Sequence, residues 1–287
     1  MPELPEVENV KRSLESLVVG KTIKSVYVGL PRIIRTPDDV LRFQAELAGC
    51  TIKAVARRGK YLIFEVPPFQ LVSHLRMEGQ YRFVEGNEEI APHTHVIFHF
   101  TDGSELRYRD VRQFGTMDLV SEGGPLPKGL SLLGPEPFDE ALTPAVFYQI
   151  LHTRKAPVKA VLLNQECLAG LGNIYVDEAL FAAEIHPART AEKVTKRQAE
   201  KLLKEIQIVL EKAIAAGGSS IRTYVNGYGR HGGFQLQLEV YARDGQPCRR
   251  CGSLIEKTRV AGRGTHYCPQ CQPRPRDRKK RSIAAKP

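Results

Sequence analysis

Four cysteines near the end of the chain constrain its fold more than any other feature. Cys248 and Cys251 are separated by two residues, Cys268 and Cys271 by two more, and sixteen residues lie between the pairs. Two such knuckles can wrap one tetrahedral ion with four thiolates. The other use of four cysteines is a pair of disulfides in a secreted chain. Against it, no segment reads as a signal peptide, and the two remaining cysteines, Cys50 and Cys167, lie in apolar surroundings that suit buried free thiols in a reducing cytoplasm. A four-thiolate zinc site is closed to substrate, so it is expected to organise a small binding module.

The 287 residues are enough for two domains with real cores, and 42% hydrophobic with 26% charged residues is ordinary for a globular protein. No apolar run is long enough to cross a membrane. The net charge of +10 is unevenly spread. Residues 272–287 hold seven basic side chains against Asp277 alone, so six of those ten charges sit in the tail. That tail reads as a disordered polycation that holds a polyanion without reading it; a merely solubilising tail is the alternative.

Along the chain, Val7, Val10, Leu14, Leu17 and Val18 recur at helical spacing over Pro2–Val19, with Pro2 and Pro5 suited to the start and Gly20 to the end. From Thr22 to about Val120 short alternating runs take over: Thr22–Gly29, Tyr61–Val66, Val96–Phe100 and Glu105–Arg109, with Asp102-Gly103 as a hairpin signal. This predicts an antiparallel β-sandwich or flattened barrel over residues 1–120. Glycine and proline mark 121–143 as a linker. Helices are predicted at Pro144–Thr153, Lys155–Gln165, Ile174–Glu184 and Thr195–Ala216, followed by a glycine-rich loop over Gly217–Phe234. The knuckles then sit on a β-ribbon over 235–271. The fold class is α+β.

Several segments carry chemistry. Removal of Met1 before the small residue Pro2 would expose a secondary amine. With a pKa of about 7.7–8.0, such a group is partly neutral at physiological pH. Condensed with an aldehyde-level carbon it gives a permanently cationic iminium, an electron sink for elimination. Glu3 beside it suits a general acid or base, and Glu6 shares its helix face. Plain helix capping also accounts for these residues. Lys60, in the turn Arg57-Arg58-Gly59-Lys60, suits a phosphate. In His74-Leu75-Arg76-Met77 and Tyr108-Arg109-Asp110-Val111-Arg112-Gln113-Phe114, an apolar side chain stands beside arginine, as in proteins that unstack duplex DNA and fill the gap. Taken singly, Met77 and Phe114 are more often core residues. The turn Gly170–Asn173 opens a helix and can present N–H groups to a phosphate. Arg263, between glycines at the ribbon tip, can lie close to one.

Together these segments resemble the bacterial formamidopyrimidine-DNA glycosylase family. The resemblance runs in order through MPELPEVE, RRGKYL, SHLRMEGQ, HTHV, TDGSELRYRDVRQFGTM, LGPEP, AGLGNIYVDEALF, GGSSIRTYVN and EKTRVAGRGTHYCPQC, covering residues 1–271. It implies an N-terminal β-sandwich with a leading helix, a helix–two-turn–helix domain over 144–234, and one structural zinc ion on Cys248, Cys251, Cys268 and Cys271. It further implies a cytoplasmic, nucleoid-associated monomer that removes oxidised purines, preferably opposite cytosine, from double-stranded DNA and cuts the abasic site by β,δ-elimination. By the same resemblance Pro2 is the nucleophile, Glu3 the proton donor to the sugar oxygen, and Glu6 an orienting group. Lys60, Asn173 and Arg263 hold phosphates, with Lys60 and Arg263 counted in the catalytic set, and His74 and Arg109 add DNA contacts. Met77, Arg112 and Phe114 fill the vacated stack, and a loop that includes Thr223 and Tyr224 caps the flipped base. Asn164, where an aspartate is common, and Arg230 with His231 depart from the pattern and bear on lesion preference. Two other readings use the same residues: an endonuclease VIII-like enzyme for oxidised pyrimidines, and a non-catalytic zinc-ribbon DNA-binding protein.

Overall fold

The first helix sets the layout. In the computed structural model, which describes residues 1–86, 88–220 and 227–274, α1 runs over Leu4–Val18 and buries Val7, Val10, Leu14 and Val18. Gly20 follows with φ +86°, a left-handed conformation that ends the helix without a Cβ penalty.

The alternating segment folds as two sheets over one core. One sheet has the order β1-β7-β8-β6, made of β1 (Ile23–Val28), β6 (Gln80–Glu85), β7 (Thr94–Phe100) and β8 (Ser104–Arg109). The other has the order β2-β9-β5-β4-β3, made of β2 (Ile34–Thr36), β3 (Ala54–Arg58), β4 (Tyr61–Val66), β5 (Phe69–His74) and β9 (Thr116–Ser121). Phe98, Phe100, Leu106 and Tyr108 from the first meet Phe64, Leu71 and Met117 from the second, and α1 closes the edge of the same core. The β7–β8 hairpin turns through Gly103 at φ +86°. A short helix, α2 (Val40–Leu47), adds Phe43 and Leu47.

A second core is helical. Phe147 and Leu151 of α4 (Pro144–His152) and Val158 and Leu162 of α5 (Val158–Leu163) pack on α6 (Asn173–Ala182) and α7 (Lys196–Ala215). The second helix is shorter than the predicted Lys155–Gln165, because Pro157 disfavours helical geometry in the residue before it and resets the start. Helix α6 is buried all round from Tyr175 to Phe181, which explains why its sequence shows little amphipathic contrast. In α7, Thr195 and Gln198 form a reciprocal capping box.

Residues 121–143 are more than a spacer. They contain a short helix, α3 (Lys128–Ser131), and bury Glu136. The Glu136 carboxylate accepts two bonds from the Arg57 guanidinium, at 2.7 and 3.0 Å, and another from the Gly59 N–H. Arg57 also donates to Glu8 of α1 at 2.9 Å. The segment therefore clamps the β3–β4 turn, whose last residue is Lys60. Partners some eighty residues apart leave no trace in a local Gly/Pro pattern.

The last unit is the ribbon of β10 (Glu256–Val260) and β11 (Arg263–Tyr267), turned through Ala261 and Gly262, both at positive φ. Cys167 is buried as expected, whereas Cys50 is only partly buried and donates its thiol to Glu46 O at 3.2 Å. No helix among the described residues is long and apolar enough to cross a membrane.

Glu136→Gln removes the charge that Arg57 is buried against. It is expected to cost about 3 kcal/mol of stability, read as a lower urea midpoint, and to loosen the turn that carries Lys60.

Candidate active site

The start of the chain is held against the N-terminus of α6. Leu4 N–H donates to Gly170 O at 2.9 Å, and the Glu3 carboxylate accepts N–H bonds from Ile174 at 3.0 Å and Tyr175 at 3.4 Å. Those N–H groups have no partner inside a helix, and the helix dipole favours an anion there. A Cβ on Gly172 would overlap the Glu3 carboxyl, and one on Gly170, at φ +95°, would strike the Leu4 side chain. The two glycines are what let the chain start approach this closely. Pro2, Glu3 and Glu6 are all buried, while Met1 is half exposed.

Burial pushes the Glu3 carboxyl above its ordinary range, opposed by the Lys60 ammonium and the two α6 N–H groups. Glu6 lies behind it and accepts N–H bonds from Glu3 at 2.8 Å and Ser219 at 2.7 Å, and the Tyr175 hydroxyl at 2.5 Å. Burial, with the Glu3 charge beside it, raises Glu6 to about 7. Lys60 is buried as well and donates to Leu171 O at 2.7 Å; burial lowers it while Glu3 and Glu6 pull it back up. Two acids and one lysine thus share a pocket in which all three titrations are displaced toward neutrality.

The zinc ribbon reaches the same helix end. Asn173 donates to Gly264 O at 2.9 Å, and Lys159 Nζ donates to the same oxygen at 3.0 Å and to Asp177 at 2.7 Å. The other Asp177 oxygen accepts the His266 N–H at 2.9 Å. These bonds fix Gly264 and leave Arg263, its exposed neighbour, near enough that its charge depresses the pKa values of both Lys60 and Lys159. Pro2, Glu3, Glu6, Lys60, Asn173 and Arg263 therefore gather from four separate stretches of chain.

The apolar candidates stand apart on the sandwich. Asp110 is fully buried and accepts N–H bonds from Arg112 at 3.1 Å, Phe114 at 2.9 Å and Gly115 at 2.8 Å. This cage presents Phe114, 52% exposed, with the Arg112 guanidinium 4.8 Å from its ring centre. Phe114 is thus no core residue. Met77 is partly buried, beside exposed Arg76 at φ +53°. His74 is buried against the Tyr61 ring and accepts the Arg76 N–H on Nδ1 at 2.9 Å. Burial, with Arg76 and Lys60 nearby, lowers it to about 3, so it is neutral and carries its proton on Nε2. Arg109 is not gathered with the others; it donates to Pro92 O at 2.9 Å and lines a groove with Arg82 and Tyr228. Thr223 and Tyr224 lie outside the described residues. Asn164 accepts the Glu166 N–H at 3.0 Å, a turn contact that an aspartate makes equally well.

The four cysteine sulfurs lie within 4.8 Å of one another, with Cys251–Cys268 at 3.4 Å and Cys248–Cys271 at 4.0 Å. Tetrahedral zinc with Zn–S of about 2.3 Å needs sulfurs about 3.8 Å apart. The donor set fits one zinc ion. Sequence reasoning overlooked Tyr175, Lys159, Asp177 and Glu136; polar residues inside apolar helical runs are the one signal that could have found Lys159 and Asp177.

Comparison with known proteins matches this geometry. Models of the formamidopyrimidine-DNA glycosylase N-terminal domain, of its H2TH domain and of the zinc finger found in FPG and IleRS match residues 1–117, 133–225 and 245–274. The formamidopyrimidine-DNA glycosylase of Shouchella clausii is 55% identical over 276 residues, covering 96% of this chain and all of the relative. The chain belongs to the formamidopyrimidine-DNA glycosylase family. The glycosylase of Brevibacillus brevis is 53% identical over 95% of the chain and 99% of its own length. The Lactococcus lactis glycosylase bound to DNA containing an abasic site superposes with a TM-score of 0.89 at 44% identity, over 95% of this chain and all of that one. A MutM complex with DNA containing carbocyclic 8-oxo-G gives 0.88 at 44% over the same shares.

In this glycosylase the zinc ion is structural, and ribbon folding is coupled to it. Chelation is expected to release Gly264 from Asn173 and Lys159 and to lower duplex DNA affinity at least tenfold. Zinc content and fluorescence anisotropy, followed together, check this.

Proposed function

We propose that this glycosylase works through the secondary amine of Pro2, set free by removal of Met1. The observation that carries the reading is the burial of Glu3, next in the chain, on the N-terminus of α6 beside Lys60. The enzyme is a base-excision repair glycosylase and abasic-site lyase for oxidised purines in duplex DNA. Its substrate is the bacterial chromosome, so it works in the cytoplasm, at the nucleoid, as a monomer.

A base inside a duplex is out of reach of Pro2, and rotating it out costs a few kcal/mol. Met77 and Phe114 fill the gap, and Arg112, held beside Phe114 by the Asp110 cage, faces the cytosine left behind. Lys60 has two ammonium hydrogens left after Leu171 O, and with His74 Nε2–H, Asn173 and Arg263 it grips the flanking phosphates. Arg109 contacts backbone farther out. The Pro2 nitrogen pair attacks C1′. The C1′–N bond to the damaged base breaks, and the base takes a proton from water. The Pro2 nitrogen, now an ammonium, gives its N–H proton to Glu3, and the sugar ring opens as Glu3 delivers that proton to the ring oxygen. A carboxyl raised by burial holds that proton longer than an exposed one does. The resulting iminium draws electrons from C2′, and loss of the C2′ proton expels the 3′ phosphate. A second elimination expels the 5′ phosphate, and hydrolysis returns the amine. Glu6 keeps the chain start in place by holding Glu3 N. The loop with Thr223 and Tyr224 covers the flipped base.

Processing gives the direct test. In protein verified to keep Met1 the Pro2 nitrogen is an amide and cannot condense. Borohydride reduction in the presence of abasic-site DNA is expected to trap processed protein covalently, and Met1-retaining protein about 100-fold less or not at all. Equal trapping would refute the Pro2 role.

The basic tail adds sequence-blind affinity. Gln272 is buried and donates to Ile185 O at 2.9 Å, so a clean deletion starts after Arg274. Removing 275–287 is expected to weaken binding to undamaged duplex and to flatten its log affinity–log salt slope by about 2 or more, at about 0.9 per lost phosphate contact. An unchanged slope would leave the tail a solubility device.

A further inference from the structure

Tyr175 belongs to no step above, yet it touches both acids of the site. Its backbone N–H donates to Glu3 at 3.4 Å and its hydroxyl to Glu6 at 2.5 Å. The side chain is fully buried, and its ring packs 5.8 Å from that of Phe234, whose own N–H donates to Gly218 O. Gly218, at φ +84°, lets the backbone come up against Glu6, where a Cβ would sit 3.0 Å from its Oε1. The next residue, Ser219, gives its N–H to the same Oε1. Glu6 is therefore a junction. One oxygen holds the N–H of Glu3, and the other holds Tyr175 of α6 and the segment that leaves α7. Of these three donors only the Tyr175 hydroxyl is a side-chain group.

We propose that Tyr175 is a positioning residue of this glycosylase: its hydroxyl helps keep Glu6 in the ionised arrangement that fixes Glu3 and, through it, Pro2. This rests on the reading of Pro2 and Glu3 given above. Hydrogen bonds from three directions favour the carboxylate over the acid. Among the described residues the charged and titratable groups that face Glu6 are Glu3 of its own helix, Tyr175 of α6, and Lys60 of the β3–β4 turn. Glu3 opposes ionisation of Glu6, while Tyr175 and the Ser219 and Glu3 N–H groups favour it. The balance lies near neutrality, at about 7. Loss of one donor is therefore felt at working pH.

The sign follows. Tyr175→Phe keeps the ring against Phe234 and removes only the donor. Glu6 then takes up its proton at higher pH, so its grip on Glu3 N weakens over about pH 6.5–8 and returns in more alkaline solution. The test has two readouts on processed, zinc-loaded, full-length enzyme. Carboxyl 13C NMR, with Glu6 assigned by Glu6→Gln, reads its titration directly, and the variant is expected to titrate about one pH unit higher. Single-turnover base excision is expected to fall about tenfold at pH 6.5 and to recover to within about twofold of the parent at pH 8.5. An unmoved Glu6 titration overturns the proposal. So does an excision defect of the same size at both pH values, which is what lost packing gives. Phe234→Leu serves as the packing control, expected to lower Tm and leave the Glu6 titration in place; if it moves that titration as far as Tyr175→Phe does, the hydroxyl is not the cause. Failure of the parent enzyme to form a reducible adduct would instead sink the Pro2 reading, since the NMR titration needs no chemistry.

Discussion

The molecule depends on a carboxylate bound at a helix N-terminus. Glu3 is buried where desolvation alone would neutralise it, and the first free N–H groups of α6 hold it there. Everything around this contact is built to permit it. Gly170 and Gly172 clear the space, Leu4 locks onto Gly170 O, and Lys60 supplies the opposite charge. An anion in a dry pocket is costly unless its oxygens are fully occupied. That cost makes the position of the chain start well defined, and an amine that must meet one carbon atom needs such definition.

Helix α6 carries the same principle further along its length. After its N-terminus binds Glu3, Asp177 binds Lys159 and the His266 N–H. Glu178 then accepts the N–H groups of Glu239, Val240 and Tyr241, between 2.8 and 2.9 Å. The sandwich, the helical domain and the zinc ribbon all meet on this helix. The ribbon's metal site lies outside the chemistry, yet it sets Gly264, and Gly264 sets the reach of Arg263 through Asn173 and Lys159. The metal thereby acts on phosphate binding through the backbone.

Much of this was legible in the sequence for local reasons. Period-two alternation marked β4 and the β7–β8 hairpin, and Asp102-Gly103 marked its turn, because those signals depend on neighbours a few residues away. The cysteine spacing marked the zinc ligands for the same reason. The linker was read as a spacer because its composition is turn-like, while Glu136 inside it is committed to Arg57 by an ion pair that no local pattern encodes. Arg109 looked like part of the basic face, but the pleat turns it toward Pro92 and away from the Lys60 cluster. Phe114 could be a wedge or a core residue until the Asp110 cage turned it outward.

By itself, the sequence determined the leading helix, the sandwich strands and the four main helices of the second domain, the four-thiolate site, the excess of positive charge in the tail and the presence of an amine-bearing proline followed by an acid; the short helices α2 and α3 it did not mark. These are properties of residue identity and short spacing. Only the tertiary structure decided which acid sits on a helix N-terminus, which lies behind it against Tyr175 and Ser219, and that Lys60 is buried between them. Those outcomes come from burial and from hydrogen bonds closed across more than a hundred residues, such as Lys60 to Leu171 and Glu3 to Ile174. Ionisation in such a pocket is set by what surrounds a group in space, which its neighbours in the chain do not specify.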